Sequence, residues 1–201
     1  MRIGVFGGTF DPVHLGHLIL AEQCREQARL DQVWFIPAYR PPHKQDQPVT
    51  PFHQRVEMLA LAIAGHAAFR IDEIEKEHGG LSYTVQTLEE LKRLHPADEL
   101  FLIIGSDVLP DLPKWREPER ILALVGLLVA ARPGWDVWSA DRVRAAVKLP
   151  AEVPLRMQVV QVPLIDNSSR DLRARAAEGR SLRYLVPRAV ECYIEAHHLY
   201  R

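Results

Sequence analysis

Apolar and polar positions along this chain alternate between two kinds of segment. Continuous apolar runs at "RIGVFGG" (2–8), "QVWFIPA" (32–38), "ELFLIIGS" (99–106) and "GLLVAAR" (126–132) have no polar face and predict strands buried on both sides. Between them, apolar residues recur at helical spacing in "LGHLILAEQCREQARL" (15–30), "FHQRVEMLALAIAG" (52–65), "YTVQTLEELKRLHP" (83–96) and "EPERILALV" (117–125). Pro37 stops the second strand, Pro51 opens the second helix and Gly65 closes it; the third helix ends before Pro96. "FRIDEIE" (69–75) alternates as a half-buried strand does, and "LRMQVVQVP" (155–163) predicts a last strand. "SSRDLRARAAEG" (168–179) and "PRAVECYIEAHH" (187–198) finish the chain as helices. Residues 133–155 are weakly patterned, with a short helix near "SADRVRAAV" (139–147).

Strands separated by helices require crossovers, and hence a mostly parallel sheet covered on both faces. The expectation is one Rossmann-like α/β domain over residues 1–201, with a helical C-terminal segment. Ligands of such sheets gather at the carboxyl ends of the strands, near a switch point in strand order. "VFGGTFDPVHLGH" (5–17) lies at such an end.

Composition narrows the partners. The formal net charge is −1, from 25 basic and 26 acidic residues, so no global basic field would hold a nucleic-acid polymer. A polyanionic ligand must be met locally. Cys24 and Cys192 stand far apart with no C-x-x-C, which argues against a disulfide scaffold or a thiolate metal site. The longest apolar run, Ile121 to Ala131, is too short to span a bilayer, and Asp11 and His14 interrupt anything resembling a secretory leader. No membrane association and a cytoplasmic location are therefore expected, while self-association into a homo-oligomer stays open.

Gly7 and Gly8 are expected to turn the chain sharply between strand and helix and to let a ligand approach the backbone. The free N–H groups of a helix start favour an anion such as phosphate. By itself this junction is a weak signal, and neither G-x-x-x-x-G-K-[ST] nor G-x-G-x-x-G is present. His14 and His17, three apart at a helix start, share one face. They could cap and pack, bind a metal, or donate to a phosphoryl group. No third ligand is suggested nearby, and the adjoining glycines favour the phosphoryl reading.

"GGTFDPVHLGH" resembles the T/H-x-G-H signature of nucleotidyltransferases related to class I aminoacyl-tRNA synthetases. More narrowly, the chain resembles bacterial nicotinate-nucleotide adenylyltransferases nearly end to end. The likeness runs through "PPHK" (41–44), "RVEML" (55–59), "SYTVQTLEEL" (82–91), "IIGSDVLPDLPKW" (103–115) and "SSRDLR" (168–173). The first motif marks only the superfamily; "SYT-x-x-TL" with "GSD…LPKW" points to the nicotinate branch. A sister transferase acting on phosphopantetheine or nicotinamide mononucleotide is the alternative, followed by a nucleotide-sensing module without turnover and a His-x-x-His metallohydrolase.

The resemblance implies adenylyl transfer from ATP, accompanied by Mg²⁺, to nicotinate mononucleotide. It assigns ATP to Gly7, Gly8, Thr9 and Phe10, with His14 and His17 at the phosphates and Lys44 and Arg173 over the β- and γ-phosphates. Ser168 and Ser169 are natural N-caps, which alone would account for them; the resemblance makes their helix start a second phosphate grip. Here the chain departs from the family's usual "ISST-x-I-R", with Asn167 for the isoleucine and Arg170 for the threonine. For the acceptor, Trp115 is the candidate for stacking on the pyridine ring, with a core tryptophan as the plain alternative. Tyr83 and Thr84 would hold the substrate from a helix start, with N-terminal capping as the plain alternative for Thr84; Asp107 would take a ribose hydroxyl or equally cap the next turn, and Gly105 would admit the ligand close to the backbone. No metal-ligating set is expected, because the Mg²⁺ that travels with ATP is held by phosphate oxygens and water.

Overall fold

The computed structural model describes residues 1–41, 48–132, 134–163 and 165–201. Six parallel strands form one sheet in the order β3-β2-β1-β4-β5-β6. They are β1 (Arg2–Gly8), β2 (Gln32–Pro37), β3 (Phe69–Ile71), β4 (Glu99–Gly105), β5 (Gly126–Ala130) and β6 (Met157–Val160). The helices are α1 (Leu15–Gln27), α2 (Phe52–Ile63), α3 (Ile74–His78), α4 (Thr84–Leu94), α5 (Pro118–Leu124), α6 (Ala140–Val147), α7 (Ser169–Ala177) and α8 (Arg188–Ala196). The chain builds outward from β1 to β3, then returns to β4 on the other side of β1. The switch point therefore lies between β1 and β4, where a crevice opens at their carboxyl ends.

Each central strand feeds two cores, because successive side chains point to opposite faces. Val33 and Phe35 of β2, with Phe101 and Ile103 of β4, pack against Leu20, Cys24, Met58, Leu172 and Val190 on one face. Trp34 and Ile36, with Leu100, Leu102 and Ile104, pack against Val85, Leu88, Ile121 and Val143 on the other. That double burial is why these strands are apolar throughout rather than alternating. No helix among the described residues is long and apolar enough to cross a membrane.

The segment 69–75 departs from the strand expected there. Pairing stops at Ile71, and α3 begins at Ile74. Asp72 is the cause: its N–H donates to the Phe35 carbonyl at 3.0 Å, while its Oδ1 accepts the Ile74 N–H at 3.1 Å and turns the chain out of the sheet. The last strand is likewise shorter than expected, ending at Val160. The weakly patterned stretch does hold a short helix, α6, capped by Ser139 Oγ, which accepts the Arg142 N–H at 3.2 Å.

Candidate active site

The glycine pair does not make the turn. Gly7 and Gly8 continue β1 opposite Ile36 and Pro37, and the reversal falls on the residues that follow. Phe10 there takes a left-handed backbone with φ 50°. A phenylalanine adopts this region because its buried ring is held edge-on against Phe6, at 5.5 Å, and His17, at 5.1 Å. A side chain at Gly7 would meet nothing within 4 Å, whereas a Cβ on Gly8 would lie 2.9 Å from the Phe10 ring.

His14 is the N-cap of α1 and only 2% exposed. Its N–H donates to His17 Nδ1 at 3.3 Å, and the two rings stack at 3.7 Å. His17 Nδ1 is thus the lone-pair nitrogen, which puts the ring proton on Nε2. Gly16 makes the stack possible, since a Cβ there would lie 3.0 Å from His14 Nδ1. Burial, then the Arg132 guanidinium, pushes His14 down to about 4. Burial, then His14, then Arg132 holds His17 well below the ordinary histidine range. Both rings are neutral near pH 7, so burial and a neighbouring cation settle the free protein in the direction the helix dipole also favours. His14 Nδ1 is buried and without a partner.

The start of α7 adjoins the start of α1: a Cβ on Gly16 would lie 3.8 Å from the Asn167 Cβ. Ser168 caps α7, its Oγ accepting the Asp171 N–H at 3.1 Å and donating to Asp171 Oδ2 at 2.6 Å. Ser169 Oγ donates to the Pro12 carbonyl at 2.9 Å, and Arg173 Nη1 donates to the Asp11 carbonyl at 2.7 Å. Ser169 and Arg173 thus brace the turn before α1, while Ser168 serves α7 itself. Arg170 is exposed. Lys44 falls outside the described residues.

A cavity of about 190 Å³ at the end of β1 is bounded by Gly7, Gly8, Thr9, Thr84 and Trp115. A second cavity, about 160 Å³, shares Trp115 and Thr84 with the first and adds Tyr83, Lys114 and Arg116. Trp115 is half-buried between the two, packed on the core yet reachable. A larger depression of about 640 Å³ along α4 touches only Tyr83 of the expected residues and is open to solvent. Thr84 opens α4, whose N-cap is Tyr83, so the capping alternative for Thr84 does not hold. Gly105 ends β4 and Asp107 follows in a short helical turn. Asp107 Oδ2 accepts Arg132 Nη1 at 2.8 Å, whereas Oδ1 is buried with no partner. A Cβ on Gly105 would sit 2.2 Å from that oxygen, so only glycine leaves it room.

Three residues that sequence reasoning did not single out converge here. Arg132 follows β5 and adds, after burial, a positive charge that disfavours protonation of both histidines. Asp11, 3% exposed, accepts the Thr50 N–H and the Tyr200 hydroxyl, at 3.2 and 2.7 Å. Arg55, 1% exposed, lies under the turn. One signal for Arg55 was present: with Met58 and Leu59 it occupies the i, i+3, i+4 stripe that α2 buries. Among the described residues no group of three His, Cys, Asp or Glu side chains could hold a metal ion.

Comparison with known proteins bears on this geometry. A family model described as cytidylyltransferase-like matches residues 5–175. A probable nicotinate-nucleotide adenylyltransferase of Thermus thermophilus is 47% identical over 201 residues, covering 100% of both chains. One of Thermomicrobium roseum is 46% identical over 200 residues, covering 100% of this chain and 92% of the relative. Among solved structures, Plasmodium falciparum nicotinic acid mononucleotide adenylyltransferase complexed with NaAD superposes with a TM-score of 0.82 at 19% identity, covering 99% of this chain and 97% of that one. The family match begins inside β1 and ends inside α7, the two elements that bring the histidine pair and the second helix start together. With near-half identity to relatives over the full length, the chain belongs to the cytidylyltransferase-like family and, within it, to the nicotinate-nucleotide adenylyltransferases.

Proposed function

We propose that the chain transfers the adenylyl group of ATP to nicotinate mononucleotide, giving nicotinate adenine dinucleotide and pyrophosphate. The observation that carries this reading is the stacked, neutral His14–His17 pair at one helix start, adjoining a second helix start, while Gly8 and Thr9, which lead into the turn before it, line a cavity together with Trp115. An oxygen of the mononucleotide phosphate attacks the α-phosphorus of ATP, and the bond to the bridging oxygen of the β-phosphate breaks. The nucleophile is already largely dianionic near neutrality, its second pKa being about 6, so no general base is needed. What the protein must do is align two polyanions and stabilise charge on the transferring group.

In this reading His14 and His17 donate to the transferring phosphoryl group and its neighbours. Lys44 and the remaining N–H groups of Arg173 take the β- and γ-phosphates, and the starts of α1 and α7 supply backbone donors. ATP enters as its Mg²⁺ complex, the metal carried by phosphate oxygens and water. Trp115 offers its face to the pyridine ring, and Tyr83 and Thr84 hold the acceptor. The unpartnered Asp107 Oδ1 accepts a ribose hydroxyl. A cytoplasmic location belongs to the same proposal, supported by the small, soluble substrates.

The test is pyrophosphate release and dinucleotide formation from ATP with nicotinate mononucleotide, nicotinamide mononucleotide or phosphopantetheine. Turnover should require ATP and favour the nicotinate compound. Trp115→Ala should raise KM for the mononucleotide about 5- to 150-fold and leave KM for ATP unchanged, since one base–aromatic stack contributes about 1–3 kcal/mol. Equal kcat/KM for the nicotinate and nicotinamide substrates would remove the nicotinate assignment. An unchanged rate after replacing both His14 and His17 with asparagine would remove the whole reading.

A further inference from the structure

Arg55 is buried to 1% exposure and, among the described residues, makes no ion pair with a carboxylate. All of its hydrogen bonds go to backbone carbonyls instead. Nε donates to Thr50 at 2.9 Å, Nη1 to Thr9 at 2.7 Å and Nη2 to Ala38 at 2.8 Å. The three acceptors belong to three segments: the turn after β1, the exit of β2 and the entry to α2. The ring of Phe52 lies 5.3 Å below the guanidinium. A leucine on this stripe would anchor α2 without desolvating a charge, so anchoring α2 does not by itself require an arginine.

The peptide that Arg55 holds most closely is Thr9–Phe10. In a trans peptide the carbonyl and the N–H point in opposite directions. Drawing the Thr9 carbonyl into the protein therefore turns the Phe10 N–H outward. Phe10 is also the residue forced to φ 50°, and Thr9 borders the cavity shared with Gly7 and Trp115. Strained backbone persists only where its surroundings over-determine it. Two further bonds brace the same turn: Ser169 Oγ to the Pro12 carbonyl and Arg173 Nη1 to the Asp11 carbonyl. The three donors turn the Thr9, Asp11 and Pro12 carbonyls to three side chains of the protein.

We infer that Arg55 is a positioning residue for the transfer reaction: by gripping the Thr9 carbonyl it sets the peptide whose N–H meets a nucleotide phosphate. It acts through the turn and does not touch the substrate. The inference rests on the function proposed above, and two separate measurements keep their failures apart. Arg55→Lys keeps the charge but cannot span three carbonyls, whereas Arg55→Ala leaves a hole that methylguanidinium fits. For each variant, kcat, the Kd for α,β-methylene-ATP and Tm are measured on one preparation. Arg55→Lys should bind the analogue about tenfold more weakly and lose about 10²-fold in kcat, as expected when a donor sits about 1 Å off. Millimolar methylguanidinium should restore part of the kcat of Arg55→Ala, an effect that repair of the fold alone would not give at temperatures well below Tm.

A folded Arg55→Lys with kcat and Kd within twofold of wild type overturns the inference. So does a loss of kcat that disappears once the folded fraction is counted. Should Arg55→Ala not fold, Arg55→Lys decides alone. If the wild-type protein fails to use nicotinate mononucleotide, the functional reading falls, and the Kd for the analogue still decides the role of Arg55.

Discussion

Replacing Gly16 with alanine places a methyl group 3.0 Å from His14 Nδ1 and 3.1 Å from Cε1. Something must yield by a few tenths of an ångström. The His14 ring cannot slide freely, because it is 2% exposed and stacks on His17 at 3.7 Å. Two opposing stability effects follow. Alanine in the first turn of α1 gains up to about 1 kcal/mol over glycine in helix propensity. A His14 ring pushed some 30° off its rotamer loses about 0.5–1.5 kcal/mol. The net is near zero, so Tm should stay within about 3 °C of wild type, given about 2–4 °C per kcal/mol for a domain of this size.

Activity has no such compensation. If a 1 Å misplacement costs about 10²-fold, a shift of about a third of that should lower kcat roughly fivefold. The assay pairs a thermal melt with pyrophosphate release at saturating ATP and nicotinate mononucleotide, on the same sample. Unchanged kcat would show that the place of the His14 ring is immaterial to the chemistry. A fall in Tm of more than about 10 °C would show that Gly16 serves packing rather than placement. Either result refutes the reasoning.

Two further expectations concern stability. The His14 pKa is about 4 in the fold against about 6.5 unfolded, so on acidification the unfolded chain takes up a proton first and stability is lost from about pH 6.5 downward. The loss reaches about 2 kcal/mol at about pH 5; melts at several pH values should show it, with a flatter profile in His14→Asn. Tyr200→Phe leaves Asp11 Oδ1 buried without its donor at a cost of about 1–3 kcal/mol, or about 3–9 °C in Tm; an unchanged melt would mean that water or a neighbour replaces the hydroxyl.

What could be read from the chain, and what could not, divides by the range of the interaction. Strands buried on both faces, such as Leu100–Ile104, show themselves as unbroken apolar runs, because both layers of side chains must be apolar. Caps are local too: Ser139 and Ser168 stand immediately before the helices they start. The strand expected over 69–75 went wrong at a single Asx turn, since Asp72 spends its carboxylate on its own backbone. The braces of the histidine turn are of another kind. Arg55 reaches Thr9 across 46 residues, Arg173 reaches Asp11 across 162 and Tyr200 reaches Asp11 across 189. No periodicity carries such pairings. The turn itself was misplaced onto Gly7 and Gly8 because glycine permits a left-handed backbone, whereas aromatic burial imposes it on Phe10.

The protonation of the histidine pair has a consequence for turnover under the proposed function. Imidazolium groups would attract ATP and pyrophosphate as strongly as the transition state, and such uniform binding lowers KM without raising kcat. The fold instead keeps both rings neutral by burial, with Arg132 as a nearby fixed cation. His17 is further held with Nδ1 occupied by the His14 N–H, so the nitrogen left to face a ligand is the one bearing the proton. A neutral donor strengthens its hydrogen bond as negative charge gathers on the oxygen it meets, and that charge is largest during transfer. Ground-state attraction then falls to Arg173 and Lys44, to which the proposed function assigns the β- and γ-phosphates that depart together as pyrophosphate. The division separates gripping the leaving group from stabilising the transferring one. It also accounts for the neighbourhood of the pair: aromatic rings of Phe6 and Phe10 around His17, where a carboxylate would have drawn the imidazole into its charged form.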